Sequence, residues 1–448
     1  MCDGTGVQSP AMHTTRPPEL AGTTRPEPRF VEFVLIVALM MGVTAFAVDA
    51  VLPAFPAIGQ EFGITEPNRL QLVVYVYMLG FGLAQLVYGP ASDVVGRRPC
   101  YLVGVVIFTV GCVMALLAND LTSLLVSRFV QGIGAAPGRV LATAIIRDRF
   151  SGREMARVMS LNMTVFITVP VFAPAIGGLL IALGSWHVLF AAMMVLGIAA
   201  GLWFWRRMPE TLSAENKMPF GIARIGAGIR QTMTSRMATG YATAVGLLFG
   251  AVMAMVGSAQ QVFAEAYGLG PWFPLAFALL AASMGIAGFV NSTVVRRYGM
   301  RRISHGSLLT LVGLGLVQVA AALFFSGHPP LLLFGVILAA SQFMLGLSFP
   351  NFNALAMEPL GRIAGTASSL IGVYTTVLGA LCGFIIGGAY DGTVIPLAAG
   401  YFVLASLTLG VVLATERGRL FRPHGPDTRS PATDETADRD EVAGRERR

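Results

Sequence analysis

The sequence predicts an all-α polytopic membrane protein, with twelve transmembrane helices arranged as two pseudo-symmetric six-helix bundles. Three observations predict it. From Phe30 onward, apolar runs of spanning length alternate with short polar turns, and a helix needs about 20 residues to cross the hydrocarbon core. The basic residues fall almost entirely on one side of those runs. Finally, the charged turn Gly89-Pro-Ala-Ser-Asp-Val-Val-Gly-Arg-Arg98 is echoed half a chain later, with Gly299 standing for Gly96 and Arg301 for Arg98.

The runs lie at roughly 30–52, 69–88, 99–118, 121–145, 160–183, 187–206, 238–260, 272–295, 303–325, 330–350, 366–388 and 394–414. With the N-terminus inside, 28 of the 31 lysines and arginines sit in inner segments, and only Arg69 sits outside. The remaining two, Arg128 and Arg139, are inside the fourth span. Positive residues stay cytoplasmic, so a multi-pass protein of the cell inner membrane with both termini in the cytoplasm is expected. The longest inner connection divides the spans six and six. The expected organisation is a disordered cytoplasmic N-tail (1–29), an N-terminal half (30–208), a cytoplasmic linker (209–236), a C-terminal half (237–415) and a disordered cytoplasmic C-tail (416–448). The N-tail is not a signal peptide, because the apolar run behind it is too long and lacks a small-residue cleavage site.

Composition narrows the function. Charged residues make up 12% of the 448 and hydrophobic ones 55%, with a mean hydropathy of +0.69; a soluble chain carries about 25% charged residues. The net charge of +7 follows membrane orientation rather than one basic face, so no nucleic-acid partner is expected. Cys2, Cys100, Cys112 and Cys382 show no metal-ligand spacing and no disulfide framework. There is no Gly-x-x-x-x-Gly-Lys-Ser/Thr, helical His-Glu-x-x-His or Gly-x-Ser-x-Gly run. The expectation is therefore no ATP motor, no enzyme, no cofactor and no metal.

Charges kept at depth point to chemistry, since an ionised side chain at a helix centre costs about 2.5–3.5 kcal/mol on insertion scales. Asp49 is the one carboxylate well inside the first span, where a buried acid can take up and release a proton near neutral pH. Its bland alternative is a helix end four residues before Pro53. Arg128 lies about eight residues into span four, at a height similar to that of Asp49; it either tunes that acid or simply binds backbone carbonyls. Arg139, about 16 Å further along, either lines an inward cavity or, the preferred reading, snorkels to the cytoplasmic interface. Met and Phe are numerous, 21 and 28, and suit an adaptable pocket.

Several motifs resemble the major facilitator superfamily, over roughly 30–415. Gly89, Ser92, Asp93, Gly96, Arg97 and Arg98 match its loop between helices two and three, with Ala91 where leucine is usual and Val94 where arginine is usual. Arg128-Phe-Val-Gln-Gly-Ile-Gly-Ala-Ala136, with Gln131, Gly132 and Gly134, resembles the helix-four motif of proton-coupled members. Ala173-Pro-Ala-Ile-Gly-Gly178 resembles the antiporter motif of drug exporters, with Ala173 in place of its leading glycine. Asp49-Ala-Val-Leu-Pro-Ala-Phe-Pro56, Tyr88-Gly-Pro90, Arg147-Asp148 and Phe349-Pro-Asn-Phe-Asn-Ala-Leu-Ala356 resemble the bicyclomycin/chloramphenicol-resistance group of drug:proton antiporters.

The resemblance implies a secondary transporter that exports small, amphiphilic, drug-like compounds in exchange for protons by alternating access, monomeric in the bilayer. Asp49 and Arg128 would couple the proton. Gly89, Asp93, Gly96, Arg97 and Arg98 would latch the inner side, and Pro174, Gly177 and Gly178, with Pro170, would make span five deformable. The rivals are a proton-coupled transporter of sugars, amino acids or other metabolites, and a non-transporting receptor or scaffold.

Overall fold

The computed structural model describes residues 28–213, 215 and 222–421. Its long helices follow the apolar runs: α1 (Phe30–Asp49), the short α2 (Phe55–Glu61), α3 (Leu72–Val95), α4 (Arg97–Leu116), α5 (Leu121–Arg149), α6 (Gly152–Ala182) and α7 (Trp186–Arg207). After the linker helix α8 (Ile222–Thr234) come α9 (Arg236–Gln260), α10 (Phe273–Tyr298), α11 (Met300–Phe324), α12 (Leu331–Met357), α13 (Ala364–Gly388) and α14 (Ile395–Thr415). Among the described residues, eleven helices are long and apolar enough to cross a membrane. The twelfth spanning element, α6, runs 31 residues and includes the apolar stretch Thr168–Ala182. The end of the bundle that carries Arg97, Arg98, Arg301 and Arg302 is the one the arginine rule expects inside, and it is called the inner end below.

In lipid the hydrophobic effect supplies no drive between helices, so small residues that let backbones approach do much of the packing. Within the first half, α5 is the hub and packs on α3, α4 and α1. A Cβ on Gly132 would strike the Tyr77 carbonyl of α3, and one on Gly134 would strike the Phe108 backbone of α4. The obstacle is main chain, which cannot swing aside as a side chain can. Gly132→Leu is therefore expected to cost about 3 kcal/mol or more and to abolish the monodisperse peak in size-exclusion chromatography.

The halves meet along two seams, α3 against α13 and α6 against α10. The first is an antiparallel ladder. From outer to inner end it pairs Gln71 with Gly387, Tyr75 with Gly383, Gln85 with Thr376 and Gly89 with Ser369.

Helices overrun the apolar segments at the inner end. The expected loop 89–98 is a correction: α3 continues through Pro90 to Val95, and Gly89 lies inside that helix against Ser369. Only Gly96 makes the turn, at φ +116°, a conformation that excludes most side chains. Its counterpart Gly299 turns likewise, at φ +80°. The expected linker 209–236 holds α8. Of the expected tails, 1–27 and 422–448 lie outside the described residues, whereas Glu416 is fully buried and Phe421 folds back onto His305.

Candidate functional site

Asp49 is the last residue of α1 and is buried, 6% exposed. Among the described residues its carboxylate has no hydrogen-bond or ion-pair partner, and no cation lies close enough to compensate it. Helix ends leave carbonyls without intrahelical donors, and here Arg128 of α5 serves them. Its Nη2 donates to Ala47 O of α1 at 2.8 Å, its Nε to Val73 O of α3 at 3.0 Å, and its Nη1 to Gln131 Oε1 at 2.7 Å. The guanidinium carbon also lies 4.4 Å from the centre of the Tyr77 ring, a cation–π contact.

Arg128 therefore ties three helices together through backbone carbonyls, two residues from Asp49 along α1, and makes no salt bridge to it. Tyr77, whose ring lies under the guanidinium, donates its hydroxyl to Thr44 O of α1 at 3.3 Å. Gln131 completes the arrangement by donating to the Cys112 sulfur at 3.1 Å. The sequence predicts that Asp49 and Arg128 lie at a similar height, but it does not reveal that Arg128 bonds Ala47 O and packs on Tyr77.

Span five places its motif glycines against the end of the first span. Gly177 of α6 lies against the Ala50 carbonyl of its own half, where a Cβ would strike that oxygen, and Gly178 faces Pro53. Ala173 and Pro174 are buried. The motif thus presses α6 onto the chain immediately after Asp49.

At the inner end, Arg97 of α4 is 5% exposed and joins Asp93 at the end of α3 to Asp148 near the end of α5, the latter at 3.0 Å through Nε. Its Nη1 also donates to Ser92 Oγ at 2.6 Å. Glu210, just beyond α7, caps α4, accepting from the backbone N–H of Arg97 at 2.9 Å and of Arg98 at 3.1 Å. An anion at a helix N-terminus is favourable there, and a Cβ on Gly96 would strike this carboxylate. Arg98 donates to Trp205 O at 2.9 Å. With valine at position 94, Arg97 is the cation that pairs with both Asp93 and Asp148.

The other half has its own cluster, of different composition. Arg301 bonds Glu416 at 3.0 Å and Glu358 at 3.2 Å, while Tyr241 donates to Glu416 and lies 3.1 Å from His305 Nε2. Arg296, at the position corresponding to Asp93, is exposed. Asp93→Asn is expected to slow transport severalfold, whereas Arg296→Gln leaves it near the parent rate; initial rates at matched expression check this, and equal losses contradict it.

The opposite end is closed by neutral amides. Gln71 Nε2 donates to Gln261 Oε1 and to Gly387 O, Gln261 Nε2 donates to Asn68 Oδ1 at 2.7 Å, and Asn68 Nδ2 donates to Tyr390 O at 2.8 Å. Tyr75 adds a bond to Met253 O at 3.3 Å. The sequence signal for this clasp is slight: isolated Asn and Gln residues at the outer ends of spans two and seven.

Arg139 lies inside α5, ten residues from its inner end. The adjacent Gly138 contacts the Met40 carbonyl, which places Arg139 level with the middle of α1. Among the described residues no three or more His, Cys, Asp or Glu are grouped to hold a metal.

Comparison with known proteins agrees with this architecture. A solved structure of the xylose transporter XylE from E. coli, partially occluded and inward open, superposes with a TM-score of 0.70 over 88% of this chain and 99% of that one, at 11% identity. Among sequences, the uncharacterized MFS-type transporter YdgK of Bacillus subtilis is 30% identical over 83% of this chain and 93% of its own length. A bicyclomycin resistance protein homolog of Haemophilus influenzae is 29% identical over 82% and 91%. The model of the Major Facilitator Superfamily matches residues 37–387. With paired six-helix bundles, an outer clasp and acid and base at depth, the chain belongs to the Major Facilitator Superfamily and is a membrane transporter, not an enzyme.

Proposed function

We propose that this transporter exports small amphiphilic compounds in exchange for protons by alternating access, as a monomer in the cell inner membrane with both termini in the cytoplasm. The observation that supports this most is Asp49, a buried carboxylate at the outer end of α1 that has no partner among the described residues. An acid held at that depth is costly unless it works, and a proton is the ligand that relieves it. Arg128 holds the end of α1 in place beside it. The name of the Haemophilus relative, a bicyclomycin resistance protein homolog, favours drug-like cargo.

In this reading Gly89, Asp93, Gly96, Arg97 and Arg98 make the inner ends of α3 and α4 one rigid piece, and the amide clasp is the gate that opens on the other side. Pro174, Gly177 and Gly178 let α6 transmit a change at the end of α1 to the α6–α10 seam. Inverted vesicles with an acidified lumen test the proposal. Some members of a chemically broad panel of amphiphiles should collapse the proton gradient, and only when the protein is present. A panel in which none does so contradicts proton-coupled export.

A further inference from the structure

The three ionisable groups kept deep in the first half do not balance, and the excess has a defined position. Arg128 and Arg139 are eleven residues apart on α5, which is three turns with an offset of only about 20°. Both therefore point to the same side of that helix. The flanking positions fix what that side is. Gly138, Ala135 and Arg128 meet α1, and Gly132 meets α3, so Arg139 faces the space between α1 and α3. The lipid-facing stripe of α5, which includes the half-exposed Val126, lies on a different side.

Yet Arg139 is exposed. An exposed side chain at mid-depth, turned away from lipid, opens onto the interior pathway between the halves. Among the described residues it has no hydrogen-bond or ion-pair partner, and no carboxylate lies near enough to compensate it. Arg128, by contrast, is wholly buried and fully engaged. The second half offers no remedy, because its spans carry ionisable side chains only toward their ends. The pathway is thus net positive whether Asp49 is ionised or protonated.

We propose that Arg139 is the anion-binding residue of the transport pathway, and that the cargo carries a carboxylate, sulfonate or phosphate group on its amphiphilic body. The planar guanidinium presents a fork of donors matched to such groups, and a charge-assisted bond at low dielectric discriminates strongly against an uncharged analogue. This rests on the transport reading above and names its substrate class.

Binding tests it separately from proton coupling. Purified protein in detergent is titrated calorimetrically with anilinonaphthalene sulfonate and with phenylnaphthylamine, the same rings without the sulfonate. Comparing parent and variant in the same micelles cancels partitioning into detergent. The sulfonate should bind the parent about tenfold to a hundredfold more tightly than it binds Arg139→Gln. Arg139→Lys should retain most of the affinity, and the neutral amine should bind all three alike. Size-exclusion elution confirms that the variants are folded, and Arg139→Ala supplies the uncharged comparison if the glutamine variant is not.

Equal sulfonate affinity in parent and Arg139→Gln overturns the proposal, and so does failure of the sulfonate to bind the parent. If the sulfonate binds through Arg139 while no compound collapses a proton gradient, the exchange reading fails and the anion site stands. If Arg139→Gln collapses the gradient as the parent does and binds sulfonate equally, the anion site fails and the exchange reading stands.

Discussion

Arg128→Met is expected to leave little folded protein. Methionine matches the volume of the arginine stem, so apolar packing against Tyr77 and Phe190 survives while the hydrogen bonds and the cation–π contacts are lost. Three acceptors lose their donor: Ala47 O, Val73 O and Gln131 Oε1. Each buried acceptor left unsatisfied costs roughly 1–3 kcal/mol, and the three belong to α1, α3 and α5, so the damage spreads across the first half. Arg128→Lys keeps the charge but has no planar fork to reach three acceptors at once. It should therefore fall between the parent and the methionine variant in yield and in thermal unfolding temperature. If Arg128→Met matches the parent in both, Arg128 is not the tie described.

The second large effect is conformational. Gln71→Ala combined with Gln261→Ala removes the bonds from Gln71 to Gln261 and Gly387 and from Gln261 to Asn68. At about 0.5–1.5 kcal/mol net for each bond, the outer-closed state loses roughly 2–4 kcal/mol. That corresponds to about 30-fold to 1000-fold in the balance between states. The amide side chains of the clasp do not titrate, so the shift is expected throughout the neutral pH range. Spin labels on Arg69→Cys and Asp391→Cys, both exposed and on opposite halves at that end, report it in a cysteine-free background. The double variant should gain a long-distance population that the parent lacks; an unchanged distance distribution contradicts the clasp.

The spans were legible because hydropathy and arginine placement are local signals that lipid enforces. The helix ends were not. Beyond the hydrocarbon core a helix needs no apolar residues, so α3 runs on through Pro90 to Val95 and α5 to Arg149 while the apolar pattern has already stopped. Asp49, Arg128 and Arg139 stood out as charges at depth, but their surroundings did not. Whether Arg128 binds a carboxylate or two carbonyls depends on where α1 ends, and whether Arg139 reaches an interface depends on its level against Met40. The pairings Arg97–Asp148, Arg97–Glu210 and Gln71–Gln261 join residues distant in sequence. A single chain gives no signal for them beyond isolated polar residues near helix ends. Glu416 was hidden for another reason, because its charged neighbours made it look like the start of a solvated tail.

Asp49 is proposed as the proton carrier, and one measurement reaches it directly. Proteoliposomes holding the parent or Asp49→Asn are loaded with a compound that collapses the gradient in vesicles, and two rates are compared. One is exchange of labelled against unlabelled compound with no proton gradient; the other is accumulation driven by the gradient. A variant that has lost only its proton carrier should still exchange the compound at a rate near the parent's, while gradient-driven accumulation falls to the protein-free background. Undiminished gradient-driven accumulation by Asp49→Asn would contradict the assignment.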